Sequence, residues 1–440
     1  MESASRPEKS FWRFLMAASG AASANFRETD AFAGTVLIES LDEVTEILRS
    51  RQFKMEGWAS PTARSAPLMQ GVLISMDGEG HMARRRKLAK LLDDAAVATY
   101  RDRHLTPTLD HCIAELAAMP RAADGSIHAD LVPLAQRSVY RIAAAVVGID
   151  GLESPDTADR FIAQVQALGA GLTVDWSRED PDVVLRRAFD ARDAFERELY
   201  GPSLERRRNV VSAALAAGRD PTETSHDILT LMLANRDGAW SGDDNVLLVE
   251  TCAYLVAATQ TTVLGFTNMV LRMELWFEQH PQDRTLMDSD PEFLRRAAFE
   301  SLRMTISTPV RQRTALEDVT LASGRHIKAG QTVSLHFIPA NSDPKHFGEH
   351  GEAFNPHRTV ENAAPWGLAF GGGAHTCPGR PLVTGSRNPT GTTGVDGTLV
   401  TLCRRYYAAG LALDPERPPV RDASTHYAMY SSIPVRFTRI

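Results

Sequence analysis

The feature that most constrains the fold is a long apolar stretch, Leu247 to Phe277. It is long enough to cross a bilayer as a helix, since about 20 apolar residues suffice. Polar side chains recur along it, however, and a lipid-facing helix should not carry them. These interruptions are Glu250, Gln260, Asn268, Arg272 and Glu274. We therefore predict a long helix that is buried inside a soluble protein.

The composition is that of a soluble, intracellular protein. Of its 440 residues, 43% are hydrophobic and 23% charged, with a net charge of -7; this suffices for a large core and gives no indication of nucleic-acid binding. The cysteines, Cys112, Cys252, Cys377 and Cys403, form no CxxC pair, so neither a zinc site nor a disulfide framework is indicated. Residues 1–34 read as an N-terminal extension with neither the layout of a signal peptide nor a spanning helix. We predict a cytoplasmic protein without a membrane partner.

Periodicity along the chain predicts a mainly α fold with a minor β lobe. The segment GTVLIESLDEVTEILRS reads as a strand followed by an amphipathic helix, and helical periodicity dominates from about 81 to 305. Short strand candidates follow in VTLAS, RHIKAG and TVSLHFI, separated by glycine-containing turns. Further on, a Gly/Thr-rich segment indicates a loop insertion, with a helix that ends by about 384 and restarts near 397.

The decapeptide FGGGAHTCPG, residues 370–379, places one cysteine at the end of a glycine-rich run. Thiolate is a soft, electron-donating metal ligand, and a lone cysteine ligand suits an iron that a porphyrin mainly holds. Glycines permit the positive φ values and close approach that turn backbone N–H groups toward the sulfur. The alternative is an inert buried cysteine in a glycine-rich loop.

This decapeptide resembles the cysteine-ligand loop of the cytochrome P-450 family, the haem-thiolate monooxygenases. The resemblance extends from about residue 35 to the end and implies one catalytic domain over 35–440, with a long central helix over haem b. It also implies that Cys377 ligates the iron, that Phe370 packs beside the sulfur and that His375 reaches a haem propionate. The matching positions are Phe370, Gly373, His375, Cys377 and Gly379.

Two further stretches resemble the family's structural ion network. FESLRM places Glu300 and Arg303 three residues apart on one helix face, where their side chains can pair. FNPHR supplies Arg358 as a third partner. The resemblance assigns these three residues to folding and haem retention rather than to chemistry.

Haem carries two propionates, so a closed pocket must supply cations. By resemblance to the family's propionate-binding segments, these are His81 and Arg85 on one helix face and Arg313 at the start of a strand, with His375 completing the set. Each of them alone is also consistent with a solvated charge.

The long apolar stretch contains LVAATQTTV, which resembles the family's oxygen-binding helix. Ala257 and Ala258 would leave room for dioxygen. Thr261 would donate a hydrogen bond to the distal oxygen, or bend the helix by bonding to the carbonyl at 257. Gln260 stands where the family has an acid; an amide orients water but does not titrate near neutral pH.

The resemblance implies an oxidoreductase that activates O2 to hydroxylate a small or mid-sized, largely apolar molecule, in secondary metabolism. Electrons would come from NAD(P)H through a ferredoxin and its reductase, steered by Arg84, Arg86 and Lys87. With Gln260 in place of the acid, oxidative coupling is an alternative reaction at the same haem site. A non-enzymatic alternative is a haem-binding sensor or carrier that performs no turnover. The predicted substrate pocket is lined by Ile74, Val256, Thr308, Val310, Met429 and Tyr430.

Overall fold

The computed structural model describes residues 34–440 apart from 58–59, 61–62, 237, 243 and 386–393. The predicted N-terminal extension therefore falls almost wholly outside the described residues. The described chain is predominantly helical with small sheets, which confirms the predicted fold class. Its helices are α1 (Leu41–Arg49), α2 (Ala66–Met69), α3 (Gly78–Leu88), α4 (Asp94–Tyr100), α5 (Thr106–Ala117), α6 (Leu131–Val147), α7 (Pro155–Leu172), α8 (Pro181–Phe195), α9 (Gly201–Ala216), α10 (Pro221–Thr224), α11 (Ile228–Leu233), α12 (Asp244–Gln279), α13 (Leu286–Ser289), α14 (Phe293–Met304), α15 (Phe337–Ala340), α16 (Pro344–Phe347), α17 (Arg380–Thr384) and α18 (Thr398–Ala408).

The strands form small sheets at the edge of the helical body. They are β1 (Val36–Ile38), β2 (Phe53–Glu56), β3 (Ile127–Asp130), β4 (Val310–Ala315), β5 (Val319–Thr320), β6 (His326–Ile327), β7 (Thr332–His336), β8 (Leu411–Leu413), β9 (Val420–Arg421), β10 (Tyr430–Ser432) and β11 (Pro434–Phe437). The main sheet has the order β1-β7-β4-β2, a second has the order β3-β11-β8, and β9/β10 and β5/β6 are two-stranded pairs. The predicted strands in VTLAS, RHIKAG and TVSLHFI are β5, β6 and β7, and the first predicted strand and helix are β1 and α1, so these predictions are confirmed.

Helix α12 contains the whole apolar stretch and packs against α6, α7, α14 and α18. By length and composition it could cross a membrane, but 61% of its most apolar 18-residue window is buried inside the protein. Its polar side chains have partners: Glu250 pairs with Arg84 at 2.7 Å and Glu274 with Arg284 at 2.9 Å. The Nδ2 of Asn268 donates to a carbonyl one turn earlier at 3.0 Å. The predicted buried helix is confirmed.

The register of the main sheet places two arginines on the same face of one strand. Antiparallel pairing of β4 with β7 matches Arg311 with Leu335 and Arg313 with Val333. Because side chains alternate across a strand, Arg311 and Arg313 lie on the same face of β4. Arg313 was expected to start the strand, but pairing already begins at Val310, so it is the fourth residue of β4.

Glu300, Arg303 and Arg358 form a buried ion network. One carboxylate oxygen of Glu300 lies 2.7 Å from Arg303 Nη2 and 2.9 Å from Arg358 Nε. Arg303, whose side chain is fully buried, also donates from Nη1 to the carbonyl of Gly351 at 2.6 Å. The network therefore fastens α14 to the segment that leads into the cysteine loop.

The helix after the cysteine loop is interrupted where the sequence predicts, between α17 and α18. A Cβ at Gly385 would lie 2.0 Å from the carbonyl oxygen of Val395, and a Cβ at Gly397 would lie 2.4 Å from that of Val383. The end of α17 and the start of α18 therefore lie in close contact.

We expect Glu300→Gln to lower the free energy of unfolding by about 3–5 kcal/mol, because it leaves two buried guanidinium groups without their shared carboxylate. The exposed Glu349 provides the control, and Glu349→Gln should change stability by less than about 0.5 kcal/mol. Urea unfolding of both variants measures the difference, and equal midpoints would contradict this role of the network.

Candidate active site

The cysteine loop is shaped by backbone contacts. The amide of Cys377 donates to the carbonyl of Phe370 at 2.8 Å, and the amide of Thr376 donates to that of Gly373 at 3.2 Å. Gly373 has φ +63°, and a Cβ there would lie 1.9 Å from the carbonyl oxygen of Leu48 in α1. Only glycine meets both conditions. The loop is thus held in one conformation against α1.

Cys377 differs from the other three cysteines, which are buried, because its side chain is open to a cavity. Enclosure by the protein raises the pKa of this thiol, whereas backbone N–H groups of Gly379 and Arg380 and the guanidinium groups of Arg311 and Arg85 oppose that rise. These donors and charges are the groups that stabilise a thiolate. They lie where they could stabilise a thiolate, although burial still favours the neutral thiol.

The cavity has a volume of ≈ 370 Å³ and lies between α12 and the cysteine loop. Its wall is mainly apolar, with a few polar and charged groups, as in sites for small organic ligands. The structure brings most of the predicted site residues together around this one cavity. Those that line it are Ile74, His81, Arg85, Val256, Ala257, Ala258, Gln260, Thr261, Thr308, Val310, Phe370, His375, Cys377, Gly379 and Met429.

Tyr430 does not line the cavity, and its predicted place is corrected. It is buried in β10, and the guanidinium carbon of Arg421 lies 4.5 Å from its ring centroid. Its neighbour Met429 lies at the cavity wall instead. The sequence did not resolve which residue of this turn faces inward, since neighbouring side chains of an extended chain point to opposite sides.

On α12, the residues predicted to handle oxygen have defined partners. Thr261 Oγ1 donates to the carbonyl of Ala257 at 2.6 Å, which is the second of the two bonds considered for this hydroxyl. Gln260 Nε2 donates to the carbonyl of Gln166 in α7 at 3.4 Å. A Cβ at Gly169, also in α7, would lie 1.8 Å from Gln260 Nε2. The amide of Gln260 therefore packs against α7 rather than along α12 toward Thr261.

Two histidines meet at the edge of the cavity. The rings of His81 and His375 stack with centroids 4.3 Å apart, and His375 Nε2 lies 2.8 Å from a carboxylate oxygen of Asp77. Burial lowers the pKa of both imidazoles, that of His81 to about 4, where the charges of His375 and Arg85 add to the effect. Both rings are therefore neutral near pH 7 and can donate a hydrogen bond.

The predicted cation Arg313 is buried, and its Nη1 donates to the carbonyl of Gln312 at 2.8 Å. Its charge acts on His375 at the edge of the cavity, whereas Arg311, which the sequence analysis did not select, lines the cavity itself. The signal that identifies Arg311 is its spacing of two from Arg313 within a strand.

Arg84 has a structural role, a buried ion pair, that the sequence analysis missed. It is buried, its Nη1 pairs with Glu250 Oε2 at 2.7 Å, and Glu250 Oε1 accepts from the hydroxyl of Tyr254 at 2.8 Å. The expectation that Arg84 steers an electron donor from the surface is therefore wrong, because its charge is neutralised inside the protein. Arg86 and Lys87 of the same helix are exposed.

The cytochrome P450 family model matches residues 6–384. This chain belongs to the cytochrome P450 family. The predicted family, fold and enzyme class are thereby confirmed.

Among curated relatives of this P450 is the steroid C26-monooxygenase of Mycolicibacterium smegmatis, 29% identical; the aligned part is 74% of this chain and 66% of the relative. The C-19 steroid 1alpha-hydroxylase of Sorangium cellulosum is 26% identical over 72% of this chain and 71% of the relative. Among solved structures, epothilone D-bound cytochrome P450epoK matches with a TM-score of 0.67 at 18% identity, covering 99% of each chain.

The residues of this P450 fit a haem. The sulfur of Cys377 opens into the cavity with backbone donors beside it. On the opposite side, α12 presents the small residues Ala257 and Ala258 to the same space. Neutral imidazoles and buried guanidinium groups gather at one edge, where two carboxylates would be bound. The donor set and its layout agree with iron protoporphyrin bound through one thiolate.

A non-glycine residue in the left-handed region costs about 1–2 kcal/mol. We expect Gly373→Ala to destabilise the protein by more than this, because its Cβ would also overlap the carbonyl of Leu48. Gly371 also has a positive φ, +64°, but a Cβ there meets nothing closer than 3.7 Å. Gly371→Ala is therefore the matched control. Thermal unfolding and haem content of both variants measure the difference, and equal losses would refute the close contact.

Proposed function

We propose that this P450 binds haem b through Cys377 and uses O2 to oxidise a small or mid-sized, largely apolar molecule, with hydroxylation as the main outcome. The observation that carries this is the thiol of Cys377, open to a mainly apolar cavity whose opposite wall is the stripe Ala257, Ala258 and Thr261. When bound, haem would supply the iron at which dioxygen is activated with two electrons from a reductant.

The residues of the chain have separate tasks in this proposal. Cys377 would hold the iron, and Arg85, Arg313, His81 and His375 would hold the propionates. Two guanidinium groups and two neutral imidazoles would thus meet the two carboxylates, so they would contribute to haem retention more than to the reaction. The ion network around Glu300 keeps the cysteine loop in place.

Thr261 lines the cavity and is the hydroxyl that the family resemblance assigns to the oxygen side. Because it already donates to the carbonyl of Ala257, its oxygen is oriented with lone pairs available to accept a hydrogen bond from water or substrate. Gln260 is assigned a positioning role, since its amide joins α12 to α7 at the roof of the cavity. Proton delivery then depends on Thr261 and water rather than on the side chain at 260.

The relatives support the substrate class. Their names include steroid hydroxylases and 6-deoxyerythronolide B hydroxylase, and the structures include complexes with epothilone D and corticosterone. All of these are largely apolar ring systems, which suits the apolar wall seen here. Names such as pentalenolactone synthase and luteothin monooxygenase favour a role in secondary metabolism.

We further propose that the enzyme works in the cytoplasm and receives electrons from NAD(P)H through a ferredoxin reductase and a ferredoxin. The exposed Arg86 and Lys87 of α3 lie on the same helix as the cavity residue Arg85. They are therefore suited to attract an acidic electron carrier to the side of the haem pocket.

Cys377→Ser should abolish the red-shifted absorption of the ferrous–CO complex that thiolate ligation produces, together with product formation. Cys112→Ser is the control, since Cys112 is buried 3.9 Å from Ser138 Oγ and away from the cavity. A thiolate-type CO spectrum in Cys377→Ser would disprove the ligand assignment. Haem binding without reductant-dependent product in the unaltered protein, across substrates of the relatives, would favour the sensor or carrier.

We expect Gln260→Glu not to increase the product formed per reductant consumed. A carboxylate cannot donate to the carbonyl of Gln166, and losing this long, exposed hydrogen bond costs at most about 0.5–1.5 kcal/mol. Gln260→Ala separates loss of the bond from introduction of the charge, and both variants should weaken the contact with α7. An increase for Gln260→Glu alone would show instead that position 260 serves proton delivery.

A further inference from the structure

Part of the cavity wall comes from the short connection between α2 and α3. Residues 70–75 of this connection, here called the wall segment, present Val72, Leu73 and Ile74 to the cavity. Their own backbone bonds are local, as from the amide of Ser75 to the carbonyl of Val72 at 2.9 Å. Such bonds shape the wall segment but do not fix where it lies relative to α12.

Two charged side chains hold the backbone of the wall segment from outside. Arg84 Nη1 donates to the carbonyl of Gly71 at 2.7 Å, and Glu250 Oε2 accepts from the amide of Leu73 at 3.1 Å. These two side-chain atoms also form the 2.7 Å ion pair. Among the residues that the structure describes, no other group from outside 66–76 makes a hydrogen bond to the wall segment. The pair therefore connects it to α3 and α12.

The turn at Gly71 presents the wall segment to this pair. Gly71 has φ +77°, in the left-handed region, and a Cβ there would meet nothing within 4 Å. Glycine is thus needed at this position for its backbone conformation and not for space. The turn brings the carbonyl of Gly71 and the amide of Leu73 to the same two charged atoms.

Stability alone does not explain this pair. Both side chains are buried, with exposed fractions of 7% for Arg84 and 1% for Glu250. Removing two charges from water offsets most of their attraction, so well-packed apolar residues often replace a buried pair without loss of stability. Apolar residues do not, however, make directional bonds to a backbone N–H and C=O. The hydroxyl of Tyr254 orients the carboxylate further by donating to Glu250 Oε1 at 2.8 Å.

We propose that Glu250, together with Arg84, is a positioning residue that holds the wall segment at the cavity and thereby determines how tightly a bulky apolar ligand fits beside the haem. This inference rests on the proposed function and specifies what shapes its substrate site. It separates the task of Arg84 from that of its neighbour Arg85, which is assigned to haem retention.

The test removes both charges together, so that neither is left buried alone, in the double variant Arg84→Met with Glu250→Leu. The matched control, Glu274→Leu with Arg284→Met, removes the other ion pair of α12, which does not line the cavity. The haem-loaded enzymes are titrated with imidazole, 4-phenylimidazole and miconazole. All three ligate haem iron through an azole nitrogen, but they differ in apolar bulk. The affinity of each larger azole divided by that of imidazole measures the fit to the wall.

We expect at least one larger azole to bind the unaltered enzyme more tightly than imidazole does. Arg84→Met with Glu250→Leu should lower that ratio about 10-fold, the loss expected when an apolar side chain no longer packs on the ligand. Haem content should stay unchanged, and the amides of 70–76 should exchange hydrogen faster. Glu250→Gln should keep most of the ratio, because its amide oxygen can still accept from Leu73. The control pair should change neither ratio nor exchange.

Gly71→Ala provides a second variant that leaves both charges in place. It strains the turn without a clash, so it should lower the ratio in the same direction but by less. Gly218→Ala is its matched control, since Gly218 also has a positive φ, +65°, and equally free space, in the turn between α9 and α10.

Three results would overturn the inference. They are a larger-azole affinity no greater than that of imidazole in the unaltered enzyme, an unchanged or increased ratio in Arg84→Met with Glu250→Leu, and an equal loss in the control pair. An increased ratio would mean that the leucine at 250 acts on the ligand directly. If the double variant does not bind haem, Gly71→Ala decides by the same criterion. These failures leave a thiolate-type CO spectrum in the unaltered enzyme, whereas failure of the proposed function removes it.

Discussion

The site depends on the contact between the cysteine loop and α1. Gly373 lies so close to the carbonyl of Leu48 that no side chain fits between them, and the Cys377 amide is bound to Phe370. The sulfur is thereby oriented by backbone geometry alone. Helix α1 is placed in turn by the parallel pairing of β1 with β7. A segment near residue 40 therefore determines the position of a ligand near residue 377.

The other wall of the cavity is rigid for a different reason. Helix α12 carries polar residues inside an apolar body, and each buried charge on it has a partner from another element, as Glu250 has Arg84 and Glu274 has Arg284. Separating such a pair lowers stability strongly, because it leaves a buried charge without a counter-charge. The pairs therefore fix how α12 is rotated, and with it which residues, among them Ala257 and Thr261, face the cavity.

Much of this arrangement could be predicted from the sequence because it follows from local pattern. The long helix, the three strands after 318, the interruption after 384 and the cysteine loop each have their own periodicity or turn residues. The partners of individual side chains could not be predicted. The sequence predicts Arg84 at the surface and Gln260 in the oxygen path. Tertiary packing instead brings Arg84 to Glu250 and the amide of Gln260 to α7. Such choices depend on neighbours that are distant in sequence.

Strand geometry explains why one short segment brings two arginines to the same side of the sheet. In β4 the side chains of Arg311 and Arg313 point to the same side and are separated by two residues, about 6.5–7 Å along the strand. The register that places Arg313 in β4 therefore also places Arg311 at the cavity wall. The sheet holds both with the same backbone hydrogen bonds, so neither can move along the strand without the other.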